Sequence, residues 1–159
     1  MQKSIIYLGS DHAAFEMKKR LVAYLKKCGY TVKDFGPYTY NPDDDYPDFI
    51  IPVARAVSRD KDSRGIALGG SGIGECIAAN KVRGVRAVRA WNVLSARGSR
   101  LHNNTNVLCL GGGKTKDPKA RGLSASWPEI KKIIAVWLNT PFSGDKRHVR
   151  RLRKIAKLE

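Results

Sequence analysis

Residues 65–75 read GIALGGSGIGE, and this stretch decides the predicted fold. Gly65–Leu68 is a short apolar run of the kind that forms a buried strand. The glycines that follow allow a sharp turn, and a helix is predicted from about Glu75. A strand, a glycine-rich turn and a helix in this order are typical of parallel α/β sheets, which bind ligands beyond the carboxyl ends of their strands.

The same alternation recurs along the whole chain. Further strands are predicted at Ser4–Gly9, Tyr30–Phe35, Val85–Trp91 and Val107–Leu110, and further helices at Ala13–Cys28, Pro47–Arg59, Val93–Leu101, Pro128–Leu138 and about 146–158. In the first helix the lysines are expected on the face opposite the apolar residues. We therefore predict one domain over residues 1–159, with a three-layer, Rossmann-like α/β fold and a five-stranded parallel sheet flanked by helices.

Composition excludes several classes of protein. The 3 Cys are scattered without a CxxC pair, which argues against a disulfide framework and a zinc site. Cys76 is expected to be a small buried helix residue. The opening residues do not resemble a signal peptide, and no stretch approaches the roughly 18 apolar residues that a membrane span needs. A cytoplasmic protein without a membrane partner is predicted.

Positive charge is concentrated in the second half of the chain. The formal net charge is +16, and residues 81–159 hold 19 basic and 4 acidic side chains, against 11 and 10 in residues 1–80. Such a field favours anionic partners, which leaves a phosphorylated metabolite, a nucleic acid, or both.

The glycine-rich turn is a candidate anion site. Gly70, Gly72 and Gly74 let backbone N–H groups face a ligand at a helix N-terminus, which suits a phosphate or an oxyanion that develops during a reaction. The alternative is a turn that is merely tight. This turn is not a Walker A loop, since no Gly-Lys-Ser/Thr follows, and the GxGxxG fingerprint is absent after the first strand, which disfavours ATP and NAD.

Titratable residues flank the predicted strand ends. Glu75 is either a helix-capping charge or a base beside an anion hole, and Asp11 is either an N-cap or a catalytic carboxylate. His12 is expected to face the ligand crevice. Together with His102 and Asn103 before the fifth strand, these residues suggest a site that moves protons between oxygens and carbons.

The basic tail offers two guanidinium groups on one helix face. Arg147 and Arg151 lie four residues apart, and Val149, Leu152 and Ala156 are predicted to form the apolar stripe. Arginines so placed bind phosphate well, but a solvated basic face and a nucleic-acid contact are the alternatives.

Several motifs in order resemble one known family. They are GSDHA at 9–13, YPD at 46–48, GSGIG at 70–74, IAANK at 77–81, SAR at 95–97, SR at 99–100 with HN at 102–103, NVLCLG at 106–111, and RH at 147–148 with RR at 150–151. This set resembles the type B ribose-5-phosphate isomerases, whose family also includes galactose-6-phosphate isomerase subunits. The resemblance implies interconversion of an aldose phosphate and a ketose phosphate, with no metal or cofactor.

The resemblance also implies a role for each site residue. One family branch uses a cysteine base at the position of Gly69, and the other uses a glutamate at the position of Glu75, so this chain resembles the glutamate branch. The implied catalytic residues are Glu75 as the base, His102 and Asp11 for ring opening, and Ser71 with the turn for the enediolate. The implied substrate-binding residues are His12, Gly70, Gly72, Gly74, Asn103, Arg147 and Arg151. The site is implied to form between the two subunits of a homodimer, which could pair further into a tetramer.

Departures from the family pattern concern the substrate. Gly112 and Gly113 stand where relatives carry Ala-Arg, and Lys114 or Lys116 is the candidate replacement for the phosphate-binding arginine. Ribose 5-phosphate is the predicted substrate. The alternatives are allose or galactose 6-phosphate, or a protein of this fold whose basic face binds nucleic acid or another polyanion.

Overall fold

A computed structural model describes residues 4–113 and 122–159 of the chain. The strands are β1 (Ile6–Ser10), β2 (Val32–Asp34), β3 (Arg64–Gly69), β4 (Ala87–Arg89) and β5 (Val107–Gly111). The helices are α1 (Phe15–Lys27), α2 (Tyr46–Arg59), α3 (Ile73–Asn80), α4 (Val93–Asn103), α5 (Trp127–Asn139) and α6 (Lys146–Ala156), with a 3₁₀ turn at His12–Ala14 before α1. Among these described elements, no helix has the length and apolar character needed to cross a membrane.

The sheet confirms the predicted architecture. Its five strands are parallel and lie in the order β2-β1-β3-β5-β4. Ser10 pairs with Leu68, and Gly69 pairs with Gly111. The carboxyl ends of the three central strands therefore lie side by side, which brings together the segments that follow these strands.

Alternate residues of the three central strands belong to two separate hydrophobic cores, one on each face of the sheet. Leu8, Leu68 and Leu108 point to one face and pack with side chains of α1, α4 and α5. Tyr7, Ala67 and Cys109 point to the other face, against side chains of α2 and α3. This period of two places a helical layer on each side of the sheet, as predicted.

One lysine of α1 departs from the prediction. Lys18 is only 1% exposed. Its ammonium group donates to both carboxylate oxygens of Asp34 at 2.8 Å and to the carbonyl of Pro37 at 2.7 Å, and these bonds compensate for its burial. The prediction that the lysines of α1 face solvent is therefore wrong for Lys18, which ties α1 to the end of β2. Its charge is compensated inside the protein by an opposite charge and a carbonyl.

The basic tail forms a helix close to the predicted bounds. Val149 and Leu152 are half-buried, as expected of the apolar stripe, but Ala156 is exposed, so the stripe stops short of its predicted end. His148 is the residue of α6 that is most deeply buried, at 4% exposure. It anchors the start of the helix by a 2.9 Å contact between its Nδ1 atom and the Ser143 hydroxyl.

Candidate active site

Glu75 lies over the end of β3. It stands in the first turn of α3, and its carboxylate fills the space where a side chain of residue 69 would lie. A Cβ atom built on Gly69 would overlap Oε1 of Glu75 and lie 2.7 Å from Oε2. Gly69 is therefore needed for the observed position of Glu75, and a side chain at 69 and the carboxylate of 75 exclude one another.

Two buried carboxyl groups lie at the carboxyl ends of the central strands. Glu75 is 4% exposed and Asp11 is 8% exposed. Burial raises the pKa of Glu75, and the nearby charge of Asp11 raises it further. Burial also raises the pKa of Asp11. A carboxylate whose pKa is raised is a better proton acceptor, so Glu75 has the properties of a general base.

Asp11 also has the structural role that its position suggests. Its Oδ1 atom accepts from the N–H groups of Ala13 at 3.0 Å and Ala14 at 3.3 Å, which makes it the N-cap of the 3₁₀ turn. The cap fixes this carboxyl group at the crevice beside Glu75.

Two hydrogen bonds and one close backbone contact fix the glycine-rich turn. Arg89 of β4 donates to the carbonyl of Ser71 at 2.7 Å, and Ser124 donates to that of Gly70 at 3.0 Å. Gly72 adopts a left-handed conformation with φ +77°, and a side chain there would collide with the backbone of Leu110. The turn thus presents the N-terminus of α3 towards the crevice. Of the N–H groups there, those of Gly72 and Glu75 donate to the Glu75 carboxylate, and that of Ile73 donates to the Ser71 hydroxyl.

Ser71 remains able to donate a hydrogen bond. Its Oγ atom accepts from the N–H of Ile73 at 3.2 Å, which leaves the hydroxyl proton for a ligand. Ser71 and the turn glycines 70, 72 and 74 therefore lie together beside Glu75, as the sequence predicted.

Asp44 is a site residue that sequence analysis missed. Its Oδ1 atom lies 2.7 Å from Nδ1 of His12 and accepts from the His12 backbone N–H at 3.0 Å. Its other oxygen, Oδ2, is buried and has no hydrogen-bond partner within the described part of the chain. The hydrogen bond to Asp44 raises the pKa of His12, and the charge of Asp11 adds to this effect. His12 is thus oriented and biased towards its cationic form at the crevice.

His102 and Asn103 lie at the opposite end of the sheet, near the amino ends of the strands. They end α4, which returns from the carboxyl edge, and the carbonyl of Asn103 accepts from Arg86 just before β4. The amino and carboxyl ends of the sheet are separated by the six residues of β3, or roughly 20 Å at about 3.3 Å per residue. A single chain therefore does not bring His102 to Glu75.

The two predicted phosphate-binding arginines lie with His102 and not with the glycine-rich turn. The rings of His102 and His148 are 4.7 Å apart, and exposed Arg147 and Arg151 flank His148 in α6. Burial lowers the pKa of His148, and the charge of Arg147 lowers it further. The predicted site residues thus form two clusters: the Glu75 cluster (Asp11, His12, residues 70–74 and Glu75) and the His102 cluster (His102, Asn103, Arg147 and Arg151).

The position of the missing family arginine has no room for a side chain. A Cβ atom on Gly113 would collide with the backbone carbonyl of Ala13, with its carbon 2.7 Å away. An arginine here would require the backbone to move. The candidate replacements Lys114 and Lys116 lie outside the described residues.

Cys76 is a thiol beside the candidate base. It is half-buried and not fully buried as expected, and a hydrogen bond with Cys109 lowers the pKa of Cys76 to about 7. Burial raises the pKa of Cys109. Within residues 4–113 and 122–159, no group of three or more His, Cys, Asp or Glu side chains is arranged to hold a metal ion.

Known proteins share both this sequence and this fold. The family model described as Ribose/Galactose Isomerase matches residues 6–155. Ribose-5-phosphate isomerase B of Mycolicibacterium paratuberculosis is 42% identical over 154 residues, covering 97% of this chain and 91% of the relative. D-erythrulose-4-phosphate isomerase of Pectobacterium atrosepticum is 40% identical over 143 residues, covering 87% and 85%.

A solved structure with a bound sugar phosphate is also similar. Ribose-5-phosphate isomerase B from Mycoplasma genitalium with bound ribulose-5-phosphate matches with a TM-score of 0.88 and 36% identity, covering 99% of this chain and 97% of that one. The match confirms the predicted fold, and together with the family model it confirms the predicted resemblance. The chain belongs to the ribose/galactose isomerase family.

Proposed function

We propose that this protein interconverts ribose 5-phosphate and ribulose 5-phosphate by proton transfer through an enediolate. The observation that carries the proposal is the buried carboxylate of Glu75, with its raised pKa, beside a fixed glycine-rich turn at a helix N-terminus. A base next to backbone donors is what an aldose–ketose isomerisation needs. The name ribose-5-phosphate isomerase B, which two of the reported similar proteins carry, supports the same reaction and the same substrate.

Glu75 performs the proton transfer in this proposal. Its carboxylate takes the proton from carbon 2 of the open-chain aldose. The C–H electron pair forms the C1–C2 double bond, and the π pair of the C1 carbonyl moves onto O1, which becomes the enediolate oxyanion. The protonated Glu75 then gives a proton to carbon 1 while the proton on O2 passes to O1, so that C2–O2 becomes the carbonyl of the ketose and the Glu75 carboxylate is restored. The two steps together return the enzyme to its starting state, and the electrons move only within the sugar, so no redox partner is consumed.

The glycine-rich turn stabilises the charge that develops on oxygen. Donors are available from the Ser71 hydroxyl and from the backbone around Gly70 and Gly74 at the positive end of α3, while the Gly72 N–H donates to the Glu75 carboxylate. Removal of one such donor from an oxyanion hole costs about 3 kcal/mol of transition-state stabilisation. The cationic form of His12, favoured by Asp44, contributes to binding of the phosphate.

A second copy of the chain completes the site in this proposal. His102 would assist ring opening with Asp11, and Asn103, Arg147 and Arg151 would contact the substrate, yet they lie at the edge away from Glu75. A homodimer with two-fold symmetry would bring the His102 cluster of one copy to the Glu75 cluster of the other. Exposed apolar side chains near the Glu75 cluster supply a surface for this contact: Ile73, Ile77, Trp91 and Leu94.

The reaction is tested by an isomerisation assay in the presence of EDTA. Ribose 5-phosphate, allose 6-phosphate and galactose 6-phosphate are offered to the wild type and to Glu75→Gln, which keeps the shape of the side chain and removes the base. We expect the highest kcat/KM on ribose 5-phosphate and a loss of turnover in the variant with KM nearly unchanged. Full activity of Glu75→Gln would refute the role of this residue, and a preference for a hexose phosphate would refute the substrate.

The shared site is tested by mixing two inactive variants. Glu75→Gln and His102→Asn subunits are unfolded together, refolded and assayed. If each site uses one residue from each copy, a mixed dimer has one intact site, and random pairing returns about a quarter of wild-type activity. If both residues act from the same copy, no mixed dimer has an intact site and the mixture stays inactive.

A further inference from the structure

The outward face of α6 carries a row of uncompensated cations. We define the outer stripe as Lys146, Arg150, Arg153, Lys154 and Lys157, all of which are exposed. At 100° per residue these five positions fall within an arc of roughly 100°. They line an open depression of about 540 Å³ next to Gly144.

The outer stripe is separate from the proposed sugar-phosphate site. The inward face of α6 carries buried His148 and half-buried Leu152, which lie on the other side of the helix from Arg150 and Lys157. The proposed phosphate ligands, Arg147 and Arg151, lie between the two faces. Binding of a single sugar phosphate therefore gives the outer stripe no role.

The acidic residues at the two ends of α6 interact elsewhere. Asp145 lies 3.7 Å from Nδ1 of His148, and Glu159 accepts from the backbone N–H of Gly84 at 2.9 Å. Among the described residues, no carboxylate lies within ion-pair distance of the outer stripe. No carboxylate among the described residues therefore neutralises the charge of the outer stripe.

The arrangement disfavours the helix in the absence of a partner. Like charges three and four residues apart repel one another, as at Lys146 and Arg150 or Arg153 and Lys157. The N-cap of α6 is Asp145, whose charge offsets the helix dipole at that end, so the repulsion that remains is the one among the cations of the outer stripe. A face that is only solvated would be equally well served by mixed charges. An anionic partner removes this repulsion.

We propose that the outer stripe binds the phosphate backbone of a nucleic acid without reading its sequence. The stripe spans 12 residues, or about 18 Å at roughly 1.5 Å per residue, and duplex DNA carries one charge per about 1.7 Å of its axis. The stripe is long enough to contact several phosphates at once. A membrane surface is disfavoured because the apolar side chains of this segment form no continuous face beside the outer stripe: Val149 is half-buried, Ile155 lies on the opposite side of the helix, and Leu158 lies beyond its end.

The test measures the anisotropy of a labelled 30-base-pair duplex at several salt concentrations. With five phosphate contacts, affinity should fall by about 10²- to 10³-fold between 50 and 200 mM KCl. The triple variant Arg150→Gln, Arg153→Gln, Lys157→Gln should bind at least tenfold more weakly at 50 mM and show a slope of about −2 in place of about −4.5. Its isomerase activity should stay at the wild-type level, which shows that it is folded.

A matched control separates the outer stripe from bulk charge. Lys26→Gln, Lys27→Gln, Lys132→Gln removes the same number of charges from exposed positions of α1 and α5, on another part of the surface. We expect this control to bind the duplex within twofold of the wild type. Equal losses in the two triple variants would overturn the proposal, as would no binding by the wild type at 50 mM KCl. Preferential binding to phosphatidylserine vesicles over the duplex would also overturn it.

Discussion

Gly69→Ala is the substitution that most sharply probes the geometry around Glu75. The new Cβ atom would overlap Oε1 of Glu75 and lie 2.7 Å from Oε2, so the carboxylate has to move. Ordinary contact distance requires Oε1 to move by about 2 Å, and a misplacement of even about 1 Å in a catalytic group costs about 10²-fold in rate. We therefore expect kcat for ribose 5-phosphate to fall at least about 100-fold, while KM changes little because Glu75 acts on the reacting carbons and does not bind the phosphate in this proposal.

The control for this experiment is Gly98→Ala in α4. A Cβ atom at Gly98 would meet no other atom within 4 Å, so the same chemical change causes no displacement. Gly98→Ala should retain wild-type kcat and gain up to about 1 kcal/mol in free energy of unfolding from helix propensity. Initial rates of ketose formation and urea unfolding measure both effects. Wild-type kcat in folded Gly69→Ala would refute the argument that the position of Glu75 controls turnover.

Two other residues near the site allow pH-dependent tests. Asp44→Asn removes the main cause of the raised pKa of His12, so less His12 is cationic near neutral pH and KM should rise severalfold there. The difference should vanish well below pH 6.5, where His12 is protonated in both proteins, and a KM ratio independent of pH would contradict this role. Cys76, with a pKa of about 7, should react with iodoacetamide at a rate that rises through pH 7 as the thiolate forms. Alkylation beside Glu75 should inactivate the enzyme and spare Cys76→Ser, and equal inactivation of both proteins would assign the effect to another thiol.

Much of the fold could be predicted because its signals are local. The apolar runs of β1, β3 and β5 and the glycines that end them are contiguous in sequence, and the register aligns those ends as expected. Lys18 shows where this reasoning fails. Its burial depends on Asp34 and Pro37, which are 16 and 19 residues away, and no periodicity in α1 announces that contact.

The site was predictable in its residues but only partly in its arrangement. Glu75, Ser71 and Asp11 follow strand ends, so their neighbourhood follows from the topology. Asp44 lies in an irregular loop, and its contact with His12 spans 32 residues, so sequence patterns gave no sign of it. The position of His102 could have been predicted, since a helix that returns from the carboxyl edge ends at the amino edge.

Solvent deuterium labelling tests the role of Glu75 most directly. The wild type and Glu75→Gln are incubated with ribulose 5-phosphate in deuterated water, and the products are followed by NMR. We predict deuterium at carbon 2 of the ribose 5-phosphate made by the wild type, because the proton returned by the base comes from solvent, and no incorporation with Glu75→Gln. Incorporation at the wild-type rate by folded Glu75→Gln would contradict the central claim and assign the proton transfer to another group.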